Sequence, residues 1–285
     1  MRLHILFYSC ILSFFLPIQL AKANKDDYIT IAILAKDKAH TLPLYLTCIE
    51  NQTWPTKKTY LYIRTNNNND TTAHVLRNWI ERVKDKYAKI YFDDSDVDTP
   101  IQEFGQHEWN YTRFKILGDI RQASVDWAYK HHSHYFVADC DNFIFPNTIA
   151  SMLQLNLPVA APFLKCYSQK YYSNYHETID SNGYYAPSVM YYEILDQNIT
   201  GILRVPVVHC TYFIQHEALP YVCYDDESAR YEYVIFSDSM RRYGIDQYID
   251  NRTIYGYVSF AENTQELHQE PFLCNFPLYQ HPSNE

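Results

Sequence analysis

Basic residues are the first shortage in this chain: 24 Lys and Arg stand against 33 Asp and Glu, for a formal charge of −9 and a pI near 5.7. Nucleic acid is thereby excluded as a partner, because a phosphate backbone demands a basic face that this composition does not supply. Cysteines at Cys-x-x-Cys spacing are absent, which removes the commonest zinc-site signature. Internal repeats are absent as well. Long apolar runs are confined to the N-terminus, where Ile5 to Leu20 is broken by Pro17 and falls short of the about 20 residues that a bilayer span needs.

What is present begins with that stretch. Arg2 precedes it, and Ala21-Lys22-Ala23 follows with the small-x-small pattern of a signal-peptide cleavage site. Residues 1–23 are therefore expected to be removed, leaving no stable membrane span and placing the protein in the secretory pathway, in the endoplasmic reticulum lumen or secreted. Sequons starting at Asn51, Asn69, Asn110, Asn198 and Asn251 are compatible with a glycosylating lumen. Cys48, Cys140, Cys166, Cys210, Cys223 and Cys274 remain after cleavage, an even set that permits disulfides. Cys140 is a poor candidate for one, since it lies between two aspartates. The 28 Tyr, 15 Phe and 4 Trp suit stacking on sugars and bases.

The chemistry is expected at His134 to Phe143, H-Y-F-V-A-D-C-D-N-F. Tyr135 to Ala138 has the length and composition of a buried strand, and two carboxylates follow at once. In an open α/β sheet the carboxyl ends of the strands form the ligand crevice, which puts Asp139 and Asp141 at its mouth. Two anions so close repel unless a cation lies between them, and hard oxygen ligands suit Mg²⁺ or Mn²⁺. Such an ion can clamp a nucleotide's diphosphate. Asp-x-Asp-Asn is also ordinary turn chemistry, so position in the chain has to decide.

Tyr28 to Leu34 reads as a first buried strand and Thr59 to Thr65 as a second, with a helix from about Thr41 to Glu50 between them. Asp70 is placed to cap a helix carrying Val75, Leu76, Trp79, Ile80 and Val83 on one face, and Lys89 to Phe92 is a third strand. After an acidic loop from Asp93 to Glu108, a long helix buries Phe114, Leu117, Ile120, Val125 and Ala128 and leads to the strand before Asp139. The Asp-x-Asp thus follows three βα-like units, which argues against the phosphatase-type motif that ends a first strand. Beyond it, Val159 to Leu164 reads as a core strand, the Tyr-rich 167–193 as a hairpin or ribbon around Asn182-Gly183, and Arg204 to Val208 as a strand ending at His209. Glu232 to Tyr243 suits a helix. The assignment is residues 24–264 as one α/β domain and 265–285 as a polar tail.

Several blocks in this order resemble the N-terminal glycosyltransferase domain of the procollagen galactosyltransferase and cerebral endothelial cell adhesion molecule family. They are I-A-I-L-A-K-D-K-A-H-T-L-P-L-Y-L, T-N-N-N-N-D-T-T, the Asp-Cys-Asp, P-V-A-A-P-F-L, Y-Y-S-N-Y, V-P-V-V-H and Y-G-Y, within roughly residues 28 to 260. The resemblance implies a GT-A fold, with a mixed, mostly parallel sheet flanked by helices and a Rossmann-like N-terminal half. It also implies a UDP-hexose donor, galactose or glucose, with Mn²⁺ (or Mg²⁺), and a hydroxyl acceptor on a protein or glycan, hydroxylysine of a collagen-like protein among the candidates. A non-catalytic binding or adhesion protein on the same scaffold is the alternative.

Roles follow on that basis. Asp141 is the expected direct metal ligand, Asp139 the ligand nearer the ribose, and His209 a neutral imidazole completing the shell. Ala35, Asp37, Asn66 and Asp70 lie where base and ribose would be held, and Arg121 reaches for the diphosphate. Inversion needs a general base, assigned to Glu232, where the resembled domain has an acidic pair. Tyr171, Tyr172, Asn174 and Tyr175 form the expected acceptor platform.

Overall fold

The computed structural model describes residues 27–98 and 110–279. The expected signal peptide and most of the acidic loop before Asn110 lie outside the described residues. β1 (Ile29–Ala35), α1 (Leu42–Glu50), β2 (Thr59–Thr65), α2 (Thr72–Val83) and β3 (Lys89–Asp93) alternate as the apolar spacing requires. β1 pairs in parallel with β2 and, on its other side, with the strand that will be β4 (His134–Ala138). Successive side chains take opposite faces: Ile31, Ile33 and Ala35 pack with Phe136 and Ala138, while Ala32 packs with Tyr135 and Val137. Both faces are covered by helices, which is why these strands are continuously apolar rather than alternating.

α3 (Tyr111–Lys130) starts on Asn110, whose Oδ1 accepts from the Arg113 N–H at 3.0 Å. Its buried side is Phe114, Gly118, Arg121, Ser124, Val125 and Ala128. Leu117 and Ile120, expected inside, are half-buried, because the helix is turned to set Gly118 against its neighbour. A Cβ at Gly118 would lie 3.0 Å from the Tyr224 carbonyl oxygen and 3.5 Å from Glu232 Cβ.

After β4 come β5 (Asn142–Ile144), α4 (Thr148–Gln154), β6 (Val159–Pro162) and β7 (Leu164–Cys166). The single strand expected over Val159 to Leu164 is split, since buried Phe163 turns the chain from one sheet to another. Its N–H donates to Asp250 and its carbonyl accepts from Tyr255, at 3.0 and 2.9 Å. The Tyr-rich stretch forms the expected hairpin only around Asn182-Gly183. It holds β8 (Tyr175–His176), one bridge between Ile179 and Tyr185, and then a helix, α5 (Val189–Leu195), which Ser188 caps while Tyr191, Ile194 and Leu195 are buried.

Pro206 cannot donate to a ladder and divides the next expected strand into β9 (Ile202–Val205) and β10 (Val207–Val208). β11 (Thr211–Ile214), α6 (Glu232–Arg242), β12 (Gln247–Asp250), β13 (Gly256–Val258) and α7 (Thr264–His268) complete the chain. The eight-stranded sheet runs β3-β2-β1-β4-β11-β6-β12-β9, with β11 antiparallel to both its neighbours. A three-stranded sheet, β5-β13-β7, and the pair β10-β8 lie outside it.

The described part of the expected polar tail, residues 265–279, folds back instead: Phe272, Leu273 and Phe276 are buried in the core around β1, with Phe272 stacked on Tyr257 at 4.8 Å. These apolar anchors outweigh the polar residues around them. All the described cysteines are free thiols. Asn251 is fully buried and donates to the Ile194 and Ile199 carbonyls, so its sequon is closed to glycosylation in the folded chain. Among the described residues no helix is long and apolar enough to cross a membrane.

Candidate functional site at the end of β4

β4 ends where the chain changes direction. The Asp139 N–H donates to the Cys210 carbonyl at 2.9 Å, and the Asn142 N–H turns back onto the Asp139 carbonyl at 2.8 Å. Cys140 points inward, 1% exposed, with its Sγ donating to the Leu34 carbonyl at 3.4 Å. With that side chain in the core, the aspartates on either side are turned outward. Their carboxylates are 32% and 24% exposed.

Each carboxylate already has a cation. Arg121 Nη2 donates to Asp139 Oδ1 at 2.7 Å, and Lys38 Nζ donates to Asp141 Oδ2 at 2.6 Å. Arg121 is buried under the site, with Nε 3.5 Å from Glu232 Oε1, so one guanidinium links Asp139 to the first residue of α6. The near approach of α3 and α6 at Gly118 makes this contact possible. Burial opposes the charge on Arg121, but Asp139 and then Glu232 outweigh it and hold the guanidinium protonated. Burial pushes the Glu232 carboxyl up to about 7, against the pull of Arg121. Arg121 Nε and Nη1 and Glu232 Oε2 are buried without hydrogen-bond partners. Polar atoms left so are costly, and functional sites are where such cost is tolerated.

The other predicted residues divide. Asp37, in the left-handed region at φ 53°, accepts from the Asn69 N–H, and its own N–H donates to Asn68. Asp70 accepts from the Thr72 N–H at 2.8 Å and from the Ala39 N–H at 3.0 Å, but the N-cap of α2 is Thr71, one residue beyond the expected cap. The loops after β1 and β2 are thus braced to each other, and buried Ala35 and Asn66 sit at the ends of the two strands beneath them. His209 is buried, its Nδ1 2.9 Å from Cys210 Sγ, its ring among His176, Tyr233 and Tyr172. Burial, then His176 and Arg121, hold it neutral.

The expected acceptor platform does not hold together. Asn174 is fully buried and ties three strands, accepting from the Leu164 N–H and donating to the Pro162 and Thr211 carbonyls. Tyr175 is buried with its hydroxyl on the Tyr191 carbonyl. Tyr172 faces Cys210 Sγ at 3.2 Å, and of the four only Tyr171 is strongly exposed, at 61%. Lys38 had no expected role, and its only signal was a cation just after β1.

Among the described residues, no three His, Cys, Asp or Glu side chains converge to hold an ion. Two open carboxylates nevertheless fit Mg²⁺ or Mn²⁺ in the mode where water and substrate phosphate supply the remaining oxygens.

The family model for glycosyltransferase family 25, N-terminal domain, matches residues 27–272. A probable inactive glycosyltransferase 25 family member 3 from Bos taurus is 32% identical over 193 residues, covering 67% of this chain and 32% of its own. Procollagen galactosyltransferase 2 from Homo sapiens is 31% identical over 189 residues, 65% of this chain and 30% of its own. The chain thus spans about a third of the length of these curated relatives. Among solved structures, S. aureus TarS 1-349 in complex with UDP-GlcNAc aligns with TM-score 0.53 and 14% identity over 82% of this chain and 59% of its own. Mannosyltransferase PcManGT from Pyrobaculum calidifontis, in complex with GDP-Man and Mn²⁺, gives 0.53 and 12%, over 86% and 61%. Both likenesses are of fold, and the fold is GT-A.

Proposed function

Since this chain belongs to glycosyltransferase family 25 through its N-terminal domain, we propose that it transfers a hexose from a UDP-sugar to a hydroxyl acceptor, with inversion. The observation that carries the reading is the buried Arg121 joining Asp139, at the mouth of the crevice, to Glu232. In this reading Asp139 and Asp141 hold Mn²⁺ or Mg²⁺ without His209, which does not converge with them. The ion supplies positive charge to the diphosphate as it leaves.

The chain's own groups do the rest. Glu232 Oε2 takes the proton of the acceptor hydroxyl as that oxygen attacks the anomeric carbon and the bond to the diphosphate breaks. Arg121 fixes the Glu232 carboxylate and, through Asp139, its position relative to the donor. The braced loops after β1 and β2 place Ala35, Asp37, Asn66 and Asp70 for the base and ribose. Secretory localisation and a protein or glycan acceptor belong to the same proposal.

A second reading is a non-catalytic binding protein. It is favoured by relatives named as inactive and by the cations already seated on both aspartates. Calorimetric titration with UDP, with Mn²⁺ and then with chelator, separates the two. Metal-dependent UDP binding that Asp141→Asn abolishes is expected for the transferase, followed by a screen of donor sugars. Folded protein that binds no UDP under either condition would overturn it.

A further inference from the structure

Lys38 is the feature that the donor-site reading leaves without a task. Its backbone is fixed: the N–H donates to Thr72 Oγ1 at 2.7 Å, and the carbonyl accepts from the Thr41 and Leu42 N–H groups at the start of α1. Its side chain, 29% exposed, crosses from the loop after β1 to the Asp141 carboxylate. The flexible part is therefore the ammonium end alone. With Arg121 on Asp139, the two aspartates are matched by two positive charges, and the local field offers little to a free divalent cation.

We propose that Lys38 is the resident counter-cation of Asp141 and must leave that carboxylate before a divalent ion is held there, taking the donor's diphosphate as its new partner. This rests on the donor-site reading above. An ammonium at 2.6 Å from Asp141 Oδ2 and a divalent ion on the same oxygen would repel strongly. A diphosphate changes the balance by bringing negative charge for both cations, and a lysine on a four-carbon stem suits phosphate as a mobile point charge. Metal and nucleotide are thereby made to bind together, and a nucleotide-free chain keeps its aspartates neutralised without metal.

The test is Mn²⁺ binding to the chain, read from the free-Mn²⁺ electron paramagnetic resonance signal, with and without UDP. Wild type is compared with Lys38→Met, Lys38→Arg and Lys38→Met/Asp141→Asn. Without UDP, Lys38→Met is expected to bind Mn²⁺ on the order of tenfold more tightly than wild type, as removal of an adjacent like charge predicts. Lys38→Arg should stay near wild type, and the double variant should lose the gain. UDP should tighten Mn²⁺ binding markedly in wild type and far less in Lys38→Met. Equal Mn²⁺ affinity of wild type and Lys38→Met, with metal-dependent UDP binding intact in both, would overturn the role of Lys38 while leaving the donor site standing. Absence of any Mn²⁺ and UDP binding in every variant, with melting curves of folded protein, would remove both.

Discussion

The two halves of the main sheet are built differently. β1, β2 and β4 are parallel, continuous and covered on both faces, and each follows from an apolar run of its own. Past Asp139 every strand is two to four residues long, and the chain passes among three sheets. Long-range hydrogen bonds hold this half. Asn174 ties β6, β7 and β11 by its amide, and the Asp250 carbonyl accepts from the Phe163 N–H. In the proposed reading the first half gathers the loops and cations that would face a donor, and the second brings Glu232 to Arg121. Binding and chemistry are thus expected to be separable by mutation.

The largest expected effect tests that separation. Glu232→Gln should lower transfer by about 10²- to 10⁴-fold, the usual worth of a general base, with metal-dependent UDP binding unchanged. In wild type the base must be ionised, so the rate should fall on the acid side of about 7, where burial has placed the Glu232 carboxyl, and that limb should vanish in the variant. Initial rates across this range decide it, and an unaltered rate in Glu232→Gln would assign the base elsewhere.

Gly256→Ala should be next. A Cβ there would lie 2.2 Å from the Phe143 carbonyl oxygen, which is backbone and cannot rotate away. A loss of about 3 kcal/mol is expected, at the top of the range for overpacking, read from the denaturant midpoint. Amide exchange should open around β5, β7 and β13 while β1 and β2 stay protected. Uniform opening would show that the halves are one cooperative unit.

The last effect concerns acid. Burial lowers the pKa values of His176, to about 4, of His209, and, against the pull of Asp27, of His134. At these histidines the unfolded state binds more protons than the folded one below the ordinary histidine value. Their contribution to stability should therefore be full above about 6.5 and decline as pH falls toward 4, against the opposite contribution of Glu232. Each histidine contributes up to about 1.4 kcal/mol per pH unit in that window. His176→Phe should flatten the slope, and an unchanged slope would mean that His176 titrates normally.

Much of the first half was legible because its signals are local. The β-branched run of β1, the apolar face of α2 and the carboxylates after β4 each lie within a few residues of what they determine. Val159 to Leu164 looked like one strand because nothing in it records that Asp250 and Tyr255 bond Phe163 in the middle. Asn174 looked like a sugar contact because a polar side chain in a Tyr-rich stretch does not announce that it will tie three strands. Leu117 and Ile120 appeared the better core residues of α3 until Gly118 set its rotation and buried Arg121.

By itself the sequence determined that a parallel α/β sheet would end β4 in two outward carboxylates, because burial of apolar runs and the twofold alternation of a strand act over neighbouring residues. Only the tertiary structure decided that Arg121 would lie beneath those carboxylates, that Glu232 would meet it and that Lys38 would hold Asp141. Those contacts join positions 18 to 111 residues apart along the chain. Charges that distant meet only after the core has closed and removed the water that would otherwise screen them.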